Sequence, residues 1–138
     1  MADCFSELTI RGPSQILDRF QEHNLLFSKF YPCPANPTAE WCLEHWGTPV
    51  ENKKNPDPDA YGVMDCSIDT IIRGRTLDTL SLRIWSAKSP PNKFLAYLIQ
   101  KYAGDNLWIK NIWSVGAKEG VWVGYIEKGS LTIKSLDW

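Results

Sequence analysis

The sequence predicts an α+β domain, an antiparallel sheet with two main helices packed on one face. Three observations predict it. The runs Val63 to Arg73 and Thr79 to Ser86 alternate apolar and polar residues with period two. Two stretches, after Pro13 and after Pro90-Pro91, carry apolar residues at helical spacing. From Leu107 onward, three β-rich segments are separated by glycine-bearing turns.

Taken in order, Cys4 to Arg11 reads as a strand with Leu8 and Ile10 on one face and Glu7, Thr9 and Arg11 on the other. Gly12-Pro13 breaks it and opens a helix striped by Ile16, Leu17 and Phe20, which ends near His23-Asn24. Leu25 to Tyr31 is short and apolar and reads as a strand, stopped by Pro32-Cys33-Pro34. Asn36-Pro37 has the form of a helix start, and Gly47 the form of that helix's end. The polar stretch Glu51 to Ala60, with Pro56 and Pro58, reads as a surface loop.

In the next pair of strands, Met64, Cys66, Ile68 and Ile72 share one face, as do Leu80, Leu82 and Ile84, with Gly74-Arg75 and Asp78 at the turn. The second main helix is striped by Phe94, Leu95, Leu98, Ile99 and Tyr102, with Gly104 as its expected cap. Leu107–Val115, Val121–Glu127 and Leu131–Leu136 then form a meander. The order suits one domain, residues 1–138: a ferredoxin-like split βαβ plan with an inserted short helix and a C-terminal β-meander.

Composition bounds the chemistry. A chain of 138 residues can bury a core without covalent staples. The net charge of −1 supplies no global field for nucleic acid or membrane, and no basic run stands out, so neither is expected as a partner. Cys4, Cys33, Cys42 and Cys66 are scattered, without CxxC spacing. With no leader-like opening and no membrane-length apolar run, reduced thiols and a cytoplasmic place are expected. Seven tryptophans are the unusual feature, indicating an aromatic core or an aromatic recognition surface.

Several segments carry a resemblance. Glu40-Trp41-Cys42-Leu43-Glu44-His45-Trp46-Gly47-Thr48 is similar to the WCxxNWGT signature of the Api92/YubB-like family, with His45 where that pattern has Asn. Ser6 to Gly12 resembles the family's opening strand and glycine, and Phe27 to Pro34 its F-x-K-x-x-P-x-P segment. Trp85-Ser86 followed by Pro90-Pro91 resembles its WSPP element, with Ala87 and Lys88 intervening, and Gly124 sits where its late aromatic-glycine strand falls. The resemblance covers nearly the whole chain. It implies a ferredoxin-like fold and a setting among phages, plasmids and viruses, and it implies no activity.

The candidate binding residues are Trp41, Cys42, His45, Trp46, Thr48, Trp85 and Ser86. On a helix, Trp41 and His45 project from neighbouring turns, as do Cys42 and Trp46. They could wall a cleft with Trp85 and Ser86, or they could pin the inserted helix to the sheet. No catalytic residue, metal ligand set or cofactor is expected. Cys42 and His45 lack the third and fourth ligands of a zinc site, and no orienting acid or oxyanion loop accompanies them as nucleophile and base. Glu40 and Glu44 read as a solvated helix face. The expected function is a non-catalytic accessory module that binds a host or viral protein through the aromatic helix or a strand edge. Self-association through the meander is compatible, because Trp108 and Ile112 oppose Leu107, Ile109 and Trp113. The alternatives are a nucleotide binder that sequesters a host signal in a Trp-lined cleft, and a cryptic hydrolase.

Overall fold

Period-two alternation gives each strand one apolar and one polar face, and pairing such strands produces a sheet with two unlike faces. The computed structural model describes residues 3–25, 27–31, 38–48 and 69–137. Along the chain run β1 (Asp3–Arg11), α1 (Ser14–Glu22), α2 (Phe27–Phe30), α3 (Ala39–Trp46), β2 (Asp69–Arg75), β3 (Thr79–Ala87) and α4 (Asn92–Lys101). The meander β4 (Trp108–Val115), β5 (Lys118–Glu127) and β6 (Ser130–Asp137) follows. The strands form one six-stranded sheet of order β2-β3-β1-β4-β5-β6. Every neighbouring pair is antiparallel.

The helices cover one face. Leu8 and Ile10 of β1, Leu80, Leu82 and Ile84 of β3, and Ile109 of β4 are buried there beneath Leu17 and Phe20 of α1 and Phe94, Leu95, Leu98 and Ile99 of α4. Each such side chain contributes about 1.5–3 kcal/mol by leaving water. Gly124 of β5 belongs to this layer. A Cβ there would lie 2.5 Å from the Trp122 ring and 2.7 Å from Ile99 Cδ1, so the missing side chain lets α4 settle on the sheet.

Within the expected strand Leu25–Tyr31, residues Phe27–Phe30 are instead helical. Asn24 and Leu25 both take positive φ, 49° and 48°, which turns the chain back over the end of α1. The Leu25 amide donates to Phe20 O at 2.8 Å, and Tyr31 donates to Phe27 O at 2.8 Å. Phe27 and Phe30, three residues apart, then both point into the core. A run this short has no period long enough to separate the two states.

The cap expected at Gly104 also falls elsewhere. α4 ends at Tyr102, a 3₁₀ turn spans Ala103–Asp105, and Asn106 takes the left-handed conformation with φ 53°. Asparagine tolerates that region and so relieves glycine of the role. Pro32 to Pro37, the loop at 51–60, and the expected strand positions Met64, Cys66 and Ile68 lie outside the described residues.

The β2–β3 register shifts between Ile72 and Gly74, a bulge that leaves Arg73 unpaired. Ile72 lies on the helix face and Ile71 is exposed on the other, as alternation predicts. Beyond the bulge, Arg75 pairs with Leu80 and so also faces the helices. Its guanidinium donates to Asp18 Oδ1 (2.8 Å), Gln21 Oε1 (3.1 Å), Ser14 Oγ (2.8 Å) and Ser14 O (3.2 Å), tying the end of β2 to α1.

Candidate binding surface

The Trp41–Thr48 segment is shaped by its two ends. Thr38 caps α3, its Oγ1 accepting from the Trp41 amide at 3.0 Å. Gly47 closes the helix in the left-handed conformation, φ 87°, its amide donating to Cys42 O and Leu43 O. Between the caps, Cys42 and Trp46 point inward and are fully buried, as is Thr48. Trp41 and His45 lie half-buried at the rim, and Glu40 and Glu44 face water.

Aromatic rings fasten α3 to its neighbours. Trp46 meets Phe27 edge-on (5.6 Å) and Trp41 edge-on (5.5 Å), and Phe27 stacks on Phe94 of α4 at 3.9 Å. At the rim, Tyr31 stacks on Tyr97 at 4.0 Å and its hydroxyl lies 2.7 Å from His45 Nδ1. Burial, helped by Tyr97 and Glu44 nearby, raises the Tyr31 pKa. The phenol therefore stays protonated, and its hydroxyl can donate to Nδ1 or accept from it according to the tautomer of the imidazole.

Ser86 joins this assembly and Trp85 does not. Ser86 is buried on the helix face of β3, and its Oγ donates to Ser89 O at 2.9 Å. The Ser89 hydroxyl in turn donates to Gly47 O at 2.6 Å. Trp85, the next residue along an extended strand, faces the opposite side and is 43% exposed. The sheet thus separates Trp85 from Trp46, and the two indoles share no cleft.

The two described thiols, Cys4 and Cys42, offer little chemistry. Cys4 is buried at the end of β1, and burial pushes its pKa up to about 11 despite hydrogen bonds with Ser6 and Ser86. At neutral pH it is a thiol, not a thiolate. Cys42 is sealed inside α3's packing. Among the described residues no group of three His, Cys, Asp or Glu side chains is placed to hold a metal ion, and no helix is long and apolar enough to cross a membrane.

The face of the sheet that no described helix covers carries a different pattern, ordered by the strand registers. Across one end runs Asp69-Trp85-Phe5-Ser114-Glu119, and next to it Ile71-Arg83-Glu7-Ile112-Val121-Leu136. Then come Ser81-Thr9-Lys110-Val123-Lys134 and, at the far end, Thr79-Arg11-Trp108-Tyr125-Thr132. The Phe5 and Trp85 rings touch, centroids 4.6 Å apart. Arg83 reaches over Phe5 (5.4 Å), Arg11 over Trp108 (5.0 Å) and Lys134 over Tyr125 (6.0 Å). Arg83 also pairs with Glu7 at 3.3 Å.

Two shallow concavities open on this face. One, of about 230 Å³, is lined by Glu7, Thr9, Arg73, Ser81 and Arg83; the other, of about 250 Å³, by Phe5, Glu7, Ile112, Ser114 and Glu119. Of the candidate binding residues Trp85 alone stands here, joined by Trp108, which the sequence had singled out in the meander. Phe5, Arg11, Arg73, Arg83 and Lys110 were missed, although outward placement of Glu7, Thr9, Arg11 and Arg83 was already readable from alternation. No family model, no curated protein and no solved structure matches this chain.

Proposed function

We propose that this chain is a non-catalytic binding module of ferredoxin-like plan, and that it binds through the uncovered face of its sheet. Removal of the strand expected at Leu25–Tyr31 leaves β1-α1, the inserted α2 and α3, then β2-β3-α4-β4. The first four strands stand in the order β2-β3-β1-β4, all antiparallel. This order and the two helical crossovers support the split βαβ reading. The setting in phages, plasmids or viruses rests on the resemblance of the Trp41–Thr48 and Trp85–Pro91 segments, and the cytoplasmic place on the scattered thiols.

The observation that carries the binding surface is the ring pair of half-buried Phe5 and exposed Trp85, at one end of the sheet face that no described helix covers. Large rings in water are costly unless a partner covers them for part of the time. The protein partner expected at the aromatic helix loses most of its surface there, because Cys42, Trp46 and Thr48 are buried. A catalytic role finds no support in the raised Cys4 thiol, the sealed Cys42 or the solvated Glu40 and Glu44.

The test is a titration of isotope-labelled protein followed by NMR, with nucleotides, cyclic dinucleotides, short oligonucleotides and acidic peptides as probes. At least one probe class should shift the Trp85 indole and the Phe5 and Ile112 amides. Shifts confined to the Trp41 indole and the α3 amides would move the site to the helical layer and refute the assignment.

A further inference from the structure

Resting on the open-face reading, we infer that the ligand of this face is single-stranded RNA. Three features of the surface converge on it. First, the rings stand where bases can stack. Phe5 and Trp85 occupy the neighbouring strands β1 and β3 at one end of the face, and Trp108 and Tyr125 oppose each other at the other. From Phe5 to Arg11, the residue beside Trp108, is a rise of six residues along β1, about 20 Å. That distance suits a short extended strand laid across the sheet with unstacked bases at both ends.

Second, cations fill the interval. On the four strands β2-β3-β1-β4 the described side chains of this face include Arg11, Arg73, Arg83 and Lys110. Of the carboxylates at this face, Glu7 is paired with Arg83, and Asp69 and Glu119 stand at the two ends of the Trp85-Phe5-Ser114 row, away from the interval that Arg11, Arg73 and Lys110 occupy. The absence of a basic run had argued against nucleic acid, but residues 11, 73, 83 and 110 are far apart in sequence and adjacent only through the strand register. A net charge of −1 for the whole chain coexists with a locally basic face. Arg83 and Arg11 already lie within cation–π reach of Phe5 and Trp108, so each ring is flanked by a group that can meet a phosphate.

Third, hydroxyls stand in the same interval. Thr9 and Ser81 pair across β1 and β3 between the two aromatic ends, with Thr79 beside Arg11. They offer partners to the 2′-hydroxyls that distinguish RNA from DNA. A duplex would keep its bases stacked on one another and offer the rings no base face. An acidic peptide would satisfy the cations and leave the rings unused.

The experiment measures fluorescence anisotropy of a labelled twelve-nucleotide single-stranded RNA of mixed sequence. The same-sequence DNA, the RNA duplex and a labelled poly-glutamate peptide serve as comparisons. The RNA should bind most tightly, and more weakly at 200 mM than at 50 mM salt. Trp85→Ala should weaken binding at least about fivefold, Trp85→Phe should keep most of it, and Lys110→Ala should lower both affinity and salt dependence. Leu43→Ala, on the exposed side of α3, should change nothing. Circular dichroism confirms that each variant is folded.

The inference is overturned if the RNA does not bind, if Trp85→Ala binds it as well as wild type, or if DNA, duplex or peptide binds as tightly. Should the peptide bind in a Trp85-dependent way while RNA does not, the RNA assignment fails and the open-face module stands. Should no probe respond to Trp85→Ala, both fail.

Discussion

The Ser89 hydroxyl donates to the carbonyl of Gly47 at 2.6 Å, across 42 residues of sequence. Ser86 donates to the carbonyl of Ser89 itself, so the end of β3, the start of α4 and the end of α3 are linked in one relay. A Cβ on Gly47 would lie 3.0 Å from the Lys93 nitrogen and 3.3 Å from Pro90 O, so the relay closes only around a residue without a side chain. Gly47→Ala combines that approach with a strained φ of 87°. It should cost about 1–3 kcal/mol in urea denaturation, while Gly104→Ala, with open space around it, should cost almost nothing. Equal midpoints for the two would contradict this packing.

Trp46 and Trp85 should differ in the same assay. Trp46 is fully buried among Phe27, Trp41 and the core, so Trp46→Ala should lose about 3–5 kcal/mol. Trp85→Ala, on the open face, should lose about 1 kcal/mol or less. A large loss at Trp85 with a small one at Trp46 would reverse the assignment of core and surface.

Arg75 should matter more than its ion pair suggests. Asp18 is mostly exposed, and an exposed pair is worth about 0–1 kcal/mol. Arg75 also bonds Ser14 and Gln21 from a largely buried position. Thermal melts should therefore show Arg75→Ala losing about 1–3 kcal/mol and Asp18→Ala a fraction of that. Arg75→Lys should not restore the loss, because an ammonium cannot span the same partners.

Cys4 makes stability depend on alkaline pH. Its pKa rises from an ordinary 9.0 to about 11 in the folded chain, so between those values the unfolded state has released a proton that the folded state keeps. Stability from this group is full below pH 9 and falls as pH rises towards 11. Denaturation of wild type and Cys4→Ala across that window should show a steeper decline for wild type. Iodoacetamide at pH 8 should modify Cys4 only after unfolding; rapid native labelling would show an accessible thiolate.

Much of the fold was legible because its elements are long enough to display a period. β1, β3 and α4 place Leu8, Leu82 and Leu98 inward as alternation and helical striping require. The stretch Leu25–Tyr31 was not legible: it is too short to show a period, and its geometry depends on two left-handed residues, Asn24 and Leu25, that carry no glycine signal. For the site, sequence spacing correctly grouped Trp41, Cys42, His45 and Trp46 on one helix, but it could not say that the pair Cys42 and Trp46 would turn inward. The cations of the open face were invisible for a different reason. Arg11, Arg73, Arg83 and Lys110 become neighbours only once strand order and register are known.

The extra residue in β2 has a consequence for how this chain can tolerate change. In an unbroken strand, positions 73 and 75 would lie on the same side; the bulge sends Arg73 to one side and Arg75 to the other. Removal of the Arg73 codon, the one between Ile72 and Gly74, would therefore restore plain alternation, with Gly74 still opposite Ser81 and Arg75 still opposite Leu80. The hold on α1 would survive and only the charge beside Ser81 would go.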